Sequence, residues 1–215
     1  MGKAILAVSL VALMASTARA QPGEHLALGG GLGFHSYADG NFSSGKSPAI
    51  APIYSIALRR SSSEGWSWAP KYGLGYANPE RQDDVGGVAV TTGRLRMIPV
   101  MVGVGRHYQH GPVSLGFGVA AGPSFNRFVI DEAARTAYRD RLGQTLNSIT
   151  ANTSIATRPD LNVWYDFNRW LGLHGSADYT FNHPTARTTA NGVATPTKWN
   201  ADHMSYGVGL AVKVF

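Results

Sequence analysis

Bulky apolar residues alternate with small or polar residues in many separate stretches of this chain. In the clearest stretch, 113–120 (VSLGFGVA), the two kinds take strictly alternate positions. Side chains of a β-strand point alternately to opposite faces, so this pattern predicts a strand with one bulky face and one small face. The same pattern predicts eight strands, around residues 26–35, 49–58, 66–76, 97–105, 113–120, 155–166, 171–181 and 206–214.

The chemistry of the two faces indicates what surrounds each of them. One face is aliphatic or aromatic, and the other consists mostly of Gly, Ala and Ser with scattered charges. A soluble sandwich or a lipocalin would carry Lys, Glu and Thr on its water-facing side. Small residues instead suit the crowded interior of a narrow barrel, and bulky apolar residues suit a lipid-facing exterior. The pattern therefore favours an all-β, eight-stranded, antiparallel up-and-down transmembrane barrel.

The connections between the predicted strands alternate between short and long. The short ones are Ser61–Gly65, Gln109–Pro112 and Phe167–Arg169, and the long ones are Tyr37–Ser47, Asn78–Thr92, Val129–Thr150 and Asn182–Ala201. Short periplasmic turns and long extracellular loops are typical of outer-membrane barrels. Within the third long connection, Asp131 to Ile149 has helical spacing with Asp131 as a possible cap, although Gly143 weakens a helix there. We interpret it as a loop with a short helix, not as a separate domain.

The first twenty residues have the features of a cleavable secretory signal. Lys3 precedes an uncharged apolar run, and Ala18-Arg19-Ala20 fits cleavage before Gln21. We therefore expect a signal peptide at 1–20 and one outer-membrane barrel at 21–215, located in the cell outer membrane. After residue 20 no apolar run approaches the roughly 20 residues that a membrane helix needs, so a closed barrel is the remaining way to span a membrane.

Charge and cysteine content narrow the possible partners and sites. The net charge is +6, and removing Lys3 and Arg19 with the signal leaves +4, spread along the chain and not clustered. Nucleic acid is therefore not an expected partner. The chain contains no cysteine, which excludes disulfides, thiolate metal ligands and a lipid anchor on a cysteine. No phosphate-binding loop or metal-site motif is present, and we expect no cofactor and no metal.

Prolines are the main objection to a closed barrel. Pro52, Pro99, Pro123 and Pro159 all fall inside predicted strands, where proline cannot donate a ladder hydrogen bond. We interpret each as a bulge or a position near a barrel rim. A bulge would switch the facing of the residues beyond it.

Two segments resemble a known family. Leu95–Phe128 contains Ile98-Pro99 before an apolar strand and a following strand that ends in Gly122-Pro123, and Asn162–Phe181 is similar to the next hairpin. These features resemble the small outer-membrane β-barrel domain of bacterial porin-family, OmpX-like and OmpA-like proteins. The resemblance implies a barrel fold and no shared catalytic residues.

The C-terminal end fits the same family with one departure. The chain ends in Phe215, as substrates of the barrel-assembly machinery usually do, and that machinery is an expected partner. Tyr206 is the nearest upstream aromatic residue of the candidate assembly signal. It lies out of phase with Phe215, and Lys213 takes a position where an aromatic residue is common. We expect the protein to be a monomer.

Ionisable residues on the small face are the first candidate site. Buried charges must be paired, because an isolated one costs several kcal/mol. The alternatives are a salt-bridge network that fills the interior and a narrow polar pore, of which the filled interior better suits eight strands. The candidate network consists of His35, Lys71, Arg158, Asp160, His174, Asp178 and Lys213.

Arg94, Arg96 and Arg127 are the second candidate site. They lie at the outer ends of two neighbouring strands, in the phase of the lipid-facing residues. Outward arginines above an apolar band could bind the phosphates of lipopolysaccharide. Lipopolysaccharide and outer-membrane lipid are therefore expected partners of the protein. The alternative is that bulges at the prolines turn them inward or into loops.

The functional expectation is a non-enzymatic surface protein that serves envelope integrity, adhesion or interaction through its surface loops. One alternative is a narrow channel for small solutes. A second is a lipid A-modifying hydrolase, because His174 and Ser176 share one face of a strand as a base and a nucleophile could. The position of this pair early in its strand, facing inward, argues against catalysis.

Overall fold

Eight long antiparallel strands carry the period-two alternation in the structure. The computed structural model describes residues 24–43, 50–60 and 65–213, with side chains for 31–43, 65–68 and 70–212. The expected signal peptide at 1–20, the side chain of Lys213 and residue Phe215 lie outside that part. The long strands are β1 (Glu24–Tyr37), β3 (Ile50–Arg60), β4 (Gly65–Leu74), β6 (Ala89–His110), β7 (Val113–Ile130), β9 (Ser154–Asp166), β10 (Leu171–Asn182) and β13 (His203–Lys213).

Each long strand pairs with the long strands before and after it in the chain. The order is β6-β4-β3-β1-β13-β10-β9-β7, and β7 also pairs with β6. Among the described residues, β3 and β4 have the shortest pairing of the neighbouring long strands, which consists of Ala57 opposite Lys71. The predicted eight-stranded antiparallel up-and-down fold is confirmed.

Burial follows the alternation along the strands. On β7, Leu115, Phe117 and Val119 are exposed, whereas Ser114 and Ala120 are buried. Exposed aromatic rings lie on the outside of the strands near the short turns, and Trp66 packs against Tyr108 at 5.3 Å between ring centroids. An apolar exterior with aromatic rings near its edge is the surface that a transmembrane barrel presents to lipid.

The prolines do not shift the strand registers. Of the two interpretations that we gave them, a bulge or a position near a barrel rim, the bulge is absent from these pairings. The register between β6 and β7 is the same at Pro99, which pairs with Ser124, and at Val102, which pairs with Ala121. Pro123 and Pro159 lie in one continuous register between β7 and β9. Pro52 pairs with Leu32 in the unbroken β1–β3 register. The facing assigned from the alternation therefore holds beyond Pro99, Pro123 and Pro159.

The two ends of the barrel differ strongly. At one end, which we call the turn end, β6 and β7 are joined by Gly111 and Pro112, with Gly111 at φ 54°. At the other end the long connections, which we expected to be mainly loops, contain regular secondary structure. These elements are β2 (Phe42–Ser43), β5 (Glu80–Asp84), α1 (Glu132–Leu142), β8 (Leu146–Ala151), β11 (Thr185–Ala190) and β12 (Val193–Lys198).

Local sequence explains the elements at this second end. Asp131 caps α1 by accepting a hydrogen bond from the Ala133 amide (3.1 Å), and Gly143 ends it in the left-handed region at φ 63°. Gly143 is thus the C-cap and not a defect in the helix. Asn191 and Gly192, both with positive φ, form the two-residue turn between β11 and β12, a strong hairpin signal that our sequence analysis missed.

Residues 38–43, 78–93, 131–153 and 183–202 form what we call the cap. Strands β12, β11 and β8 make a three-stranded sheet, and the cap shares a hydrophobic core with the adjoining ends of β6 and β7. The buried members of that core are Phe42, Ala77, Leu95, Met97, Phe128, Ala134, Leu146, Ile149, Ala186, Trp199 and Ala201. Within the described residues, no helix is both long and apolar enough to cross a bilayer.

Candidate functional site

The barrel interior contains an ion pair that reaches across several strands. Lys71 Nζ on β4 donates a hydrogen bond to Asp160 Oδ2 on β9 (2.5 Å), and β6 and β7 lie between these two strands. The lysine stem runs over Gly105 and Gly118, where an added Cβ would lie 2.6 Å and 2.8 Å from Lys71 Cε. Small residues on this wall therefore make room for a charged side chain to cross it.

Polar side chains continue from Asp160 toward the turn end. Asn162 Nδ2 donates to Asp160 Oδ2 (2.9 Å), and Trp164 Nε1 donates to Asn162 Oδ1 (3.2 Å). Trp164 in turn packs against His174, with ring centroids 4.1 Å apart. Gly116 faces this chain, because a Cβ there would lie 2.5 Å from Asn162 Oδ1.

A second interior group lies closer to the cap. Asp178 is the cross-strand neighbour of both Asp160 and Ser205, and it accepts hydrogen bonds from Ser205 and Thr180. His35 Nδ1 lies 2.9 Å from Ser205 Oγ. The neighbouring Asp160 carboxylate repels the Asp178 carboxylate, whereas the positive charge of Arg158 attracts it.

The structure thus brings most of the predicted interior residues into two neighbouring groups. Arg158 lies against Gly73, which leaves space for its guanidinium. His174 is buried beside Trp164. The backbone of Lys213 pairs with Ala27 at the turn end, away from the other members.

A polar cluster that was not predicted from the sequence lies beneath the cap. Asn182, which is 1% exposed, donates through Nδ2 to Ser124 Oγ (3.2 Å), and its Oδ1 accepts from Ser154 Oγ (2.5 Å). Asn126 Nδ2 donates to the same Ser154 Oγ (2.8 Å). All four residues hold inward positions of their strands, so the alternation predicts their facing, but none is charged and nothing in the sequence distinguishes them from other small or polar inward residues.

The cap contains a second missed feature, an arginine held between two aromatic rings. The Arg81 guanidinium carbon lies 4.9 Å from the Phe42 ring centroid and 4.5 Å from the Trp199 ring centroid. Arg81 Nη2 also forms an ion pair with Asp83 Oδ1 (2.6 Å). These residues come from three connections far apart in sequence, so no local pattern could have joined them.

Tyr138 of α1 packs against the edge of the cap core. Burial raises the pKa of the Tyr138 hydroxyl, and the nearby Asp83 carboxylate raises it further, while Arg81 lowers it. The helix therefore docks onto the same charged and aromatic group.

The three candidate arginines all lie exposed on the outside, as the alternation predicted. Arg94 is already neutralised, because its Nη2 donates to Glu80 Oε1 (2.6 Å). Arg96 and Arg127 are direct cross-strand partners. A fourth outward arginine, Arg106, lies near the turn end with its guanidinium carbon 5.4 Å and 5.3 Å from the ring centroids of Trp66 and Trp68.

The positions of His174 and Ser176 do not favour a hydrolase that uses them as base and nucleophile. Both residues lie on the interior face of β10, and the His174 ring packs against Trp164. Another Ser–His pair occurs between β4 and β6, where Ser67 Oγ lies 2.7 Å from His107 Nε2. It also lies on the interior face, away from the surface that contacts lipid.

Two other predictions concern the metal and the assembly signal. Among residues 24–43, 50–60 and 65–213, no group of three His, Asp or Glu side chains is placed to hold a metal ion. Tyr206 of the assembly signal faces outward, and its hydroxyl donates to Met204 Sδ (2.8 Å). Its counterpart Phe215 lies outside the described residues.

Comparisons with known proteins place the fold. No protein-family model and no curated protein sequence matches the chain. The structure is similar to the outer membrane protein OprG of Pseudomonas aeruginosa, with a TM-score of 0.67 and 11% identity over 89% of this chain and 96% of that one. It is also similar to the outer membrane protein AlkL solved in lipid bilayers, with a TM-score of 0.56 and 15% identity over 88% of this chain and 90% of that one.

These similarities show that the chain has the fold of small bacterial outer-membrane β-barrels, as its sequence predicted. Both solved structures are of outer-membrane proteins, in agreement with the predicted location. At such low identity the likeness extends to the fold, and the role of the chain must be argued from its own residues.

Proposed function

We propose that this outer-membrane barrel is a non-enzymatic surface protein whose cap is the part that meets other molecules. The cap packs on a hydrophobic core that it shares with the ends of β6 and β7, so it presents a fixed surface and not a set of unstructured loops. This core carries the proposal: Trp199 is 5% exposed, and its ring lies 5.8 Å from the Phe42 ring and 5.1 Å from the Phe128 ring. A preformed surface binds at a lower entropic cost than loops that must order on contact.

The hairpin of β11 and β12 is the most prominent part of that surface. All six residues of β12 are exposed, and its outer edge has no partner strand among the described residues. Pro196 lies in this edge and removes one backbone donor, which limits indiscriminate strand pairing. These features support a role in surface interaction or adhesion, with envelope integrity as the broader alternative.

The interior gives more support to this role than to a channel. The Lys71–Asp160 pair lies inside the barrel, and the cap core packs against Leu95, Met97 and Phe128 at the cap end of β6 and β7. In an eight-stranded barrel, side chains fill most of the interior. A narrow channel for small solutes is therefore the second candidate.

The third candidate, a lipid A hydrolase, has one observation in its favour, the 2.7 Å contact between Ser67 and His107. Acyl chains of membrane lipids approach a barrel from outside, whereas this pair faces its interior. We infer that the pair is a structural hydrogen bond between neighbouring strands. The remaining proposed partners are the barrel-assembly machinery and membrane lipid, and the proposed state is a monomer.

Planar-bilayer recording of the purified full chain tests the proposal. We expect no steady single-channel conductance from the wild-type protein, and no increase when Lys198 is replaced by Met as a surface control. A steady conductance that changes in Lys71→Met would establish the channel instead. Removal of acyl chains from lipid A in cells that express the protein, abolished in Ser67→Ala, would establish the hydrolase.

A second experiment separates surface interaction from envelope integrity. Residues 186–197 are replaced by a two-residue turn, and cells expressing this variant are compared with cells expressing the wild type for adherence to surfaces and for detergent resistance. We expect adherence to fall while detergent resistance is unchanged. Unchanged adherence with reduced resistance would assign the role to envelope integrity.

A further inference from the structure

Arg96 and Arg127 form a pair of like charges on the outer wall of the barrel. They are direct partners in the β6–β7 ladder, and both side chains are exposed. Within the described part of the chain, neither guanidinium forms an ion pair with an acidic side chain. Like charges directly opposite each other destabilise a ladder, so this position is favourable only when an anion lies between or beside the two guanidinium groups.

The height of this pair on the barrel indicates where the anion comes from. The next outward pair toward the turn end is Ile98 and Phe125, which are ladder partners and 42% and 52% exposed. Below them on β6 the outward positions are Val100, Val102 and Val104, until Arg106 is reached. Apolar side chains therefore fill every outward position of β6 between two arginines.

The separation of those arginines matches the thickness of a membrane. Arg106 comes ten positions after Arg96, which is about 33 Å along a strand and about 25 Å along the membrane normal at a tilt of about 40°. An outer-membrane barrel has an apolar band about 25 Å tall. Arg96 and Arg127 therefore lie at one edge of the hydrocarbon layer, on the side of the cap, and Arg106 lies at the other edge.

We propose that Arg96 and Arg127 together bind a phosphate group of lipopolysaccharide at the edge of the outer leaflet. This inference rests on the proposed outer-membrane location with the cap outside. The planar guanidinium can donate two parallel hydrogen bonds to phosphate, and two such groups on adjacent strands converge on one anion. The bound phosphate neutralises the repulsion between the arginines and anchors the glycolipid at that point of the wall.

Arg94 is not part of the site, although the sequence pattern placed it there. Its guanidinium is held by Glu80 at 2.6 Å, and the charge of that pair is zero. Arg94 lies on the same face of β6, two positions from Arg96, and it is the matched control for every variant of the pair.

The test measures lipopolysaccharide retained per folded barrel after mild detergent extraction of outer membranes. Arg96→Gln/Arg127→Gln should lower retention about tenfold, the loss expected when charge-assisted hydrogen bonds to one anion are removed. Arg94→Gln should leave retention near the wild-type value. Retention that is equal in the double variant and the wild type, or that falls equally in Arg94→Gln, overturns the inference.

The second measurement needs no variant and identifies the source of the anion. Wild-type barrels are reconstituted in vesicles of phosphatidylethanolamine that contain intact lipopolysaccharide, dephosphorylated lipopolysaccharide or phosphatidylglycerol, and bound lipid is counted by native mass spectrometry. We expect retention of the intact lipopolysaccharide only. Equal retention of the dephosphorylated form, or preference for phosphatidylglycerol, overturns the inference.

Different results would refute the lipopolysaccharide site and the proposed function. A barrel that reaches the outer membrane and shows a heat-dependent gel shift, but retains no lipopolysaccharide through the arginine pair, refutes the lipid site alone. A protein that never reaches the outer membrane refutes the location on which both proposals rest.

Discussion

Lys71 and Asp160 meet inside the barrel although β6 and β7 separate their strands, with Nζ and Oδ2 2.5 Å apart. Their side chains are 20% and 16% exposed, so the pair is shielded from most of the solvent. The lysine reaches the carboxylate because glycines line its route. The ion pair therefore depends on the small residues of the interior face, which leave space for the lysine side chain.

Breaking this pair should destabilise the barrel. Asp160→Asn leaves the Lys71 ammonium in the interior without its carboxylate, and we expect a loss of about 1–3 kcal/mol in the free energy of unfolding, the penalty of an unsatisfied buried group. Urea unfolding in lipid vesicles, followed by tryptophan fluorescence, measures this loss. Lys71→Met should give a loss of similar size, while Lys198→Met on the exposed strand β12 should give none. Equal midpoints for Asp160→Asn and the wild type would contradict the account.

The glycine route makes a separate prediction. In Gly105→Ala the new methyl group would lie 2.6 Å from both Lys71 Cε and the Phe117 carbonyl oxygen, so the lysine and the ladder must both shift. We expect a lower yield of folded barrel and a loss of about 1–3 kcal/mol, as for overpacked interiors. Gly40→Ala is the matched control, because an added Cβ at Gly40 meets nothing within 4 Å. If both variants fold with equal yield, the glycine does not serve to admit the lysine.

Replacing Trp199 by Ala should unfold the cap while the barrel stays folded. Trp199 packs against Phe42, Phe128 and Arg81, and Trp199→Ala should cost the cap about 3–5 kcal/mol, the usual loss for a buried aromatic side chain. Limited proteolysis should then cut within 183–202 far faster, while the remaining barrel keeps its heat-dependent gel shift. The exposed Val193→Ala should be cut at the wild-type rate. A cap that resists protease equally in Trp199→Ala would show that its core is not organised around this residue.

The alternation was sufficient to predict the barrel because a strand period of two is a local property. Arg96 and Ile98 face outward as their spacing requires, and Pro99 and Pro123 change nothing, since the ladder keeps its register through them. We had interpreted each proline as a bulge or a position near a rim because proline removes a donor, yet the neighbouring pairs hold the strands in place.

The cap could not be predicted to the same extent. Its core joins Phe42, Phe128 and Trp199, which lie in three separate parts of the chain, and their contacts depend on how the connections fold over the mouth. Some local signals were available, such as Asp131 before α1 and Asn191-Gly192 between β11 and β12. The spacing of Arg94, Arg96 and Arg127 predicted that they point outward. Only the structure showed that Glu80 neutralises Arg94.

Cysteine labelling tests whether the barrel is embedded in the membrane with its cap exposed, because the chain has no cysteine of its own. Val193→Cys in the cap, His110→Cys at the turn end and Val104→Cys on the wall are treated with a membrane-impermeant maleimide. On intact cells we expect labelling of Val193→Cys alone, and labelling of His110→Cys once the outer membrane is permeabilised. Val104 is 58% exposed in the bare protein, yet Val104→Cys should stay unlabelled in membranes because lipid covers it. Labelling of Val104→Cys as fast as Val193→Cys would show that the apolar wall faces water, and the account would be wrong.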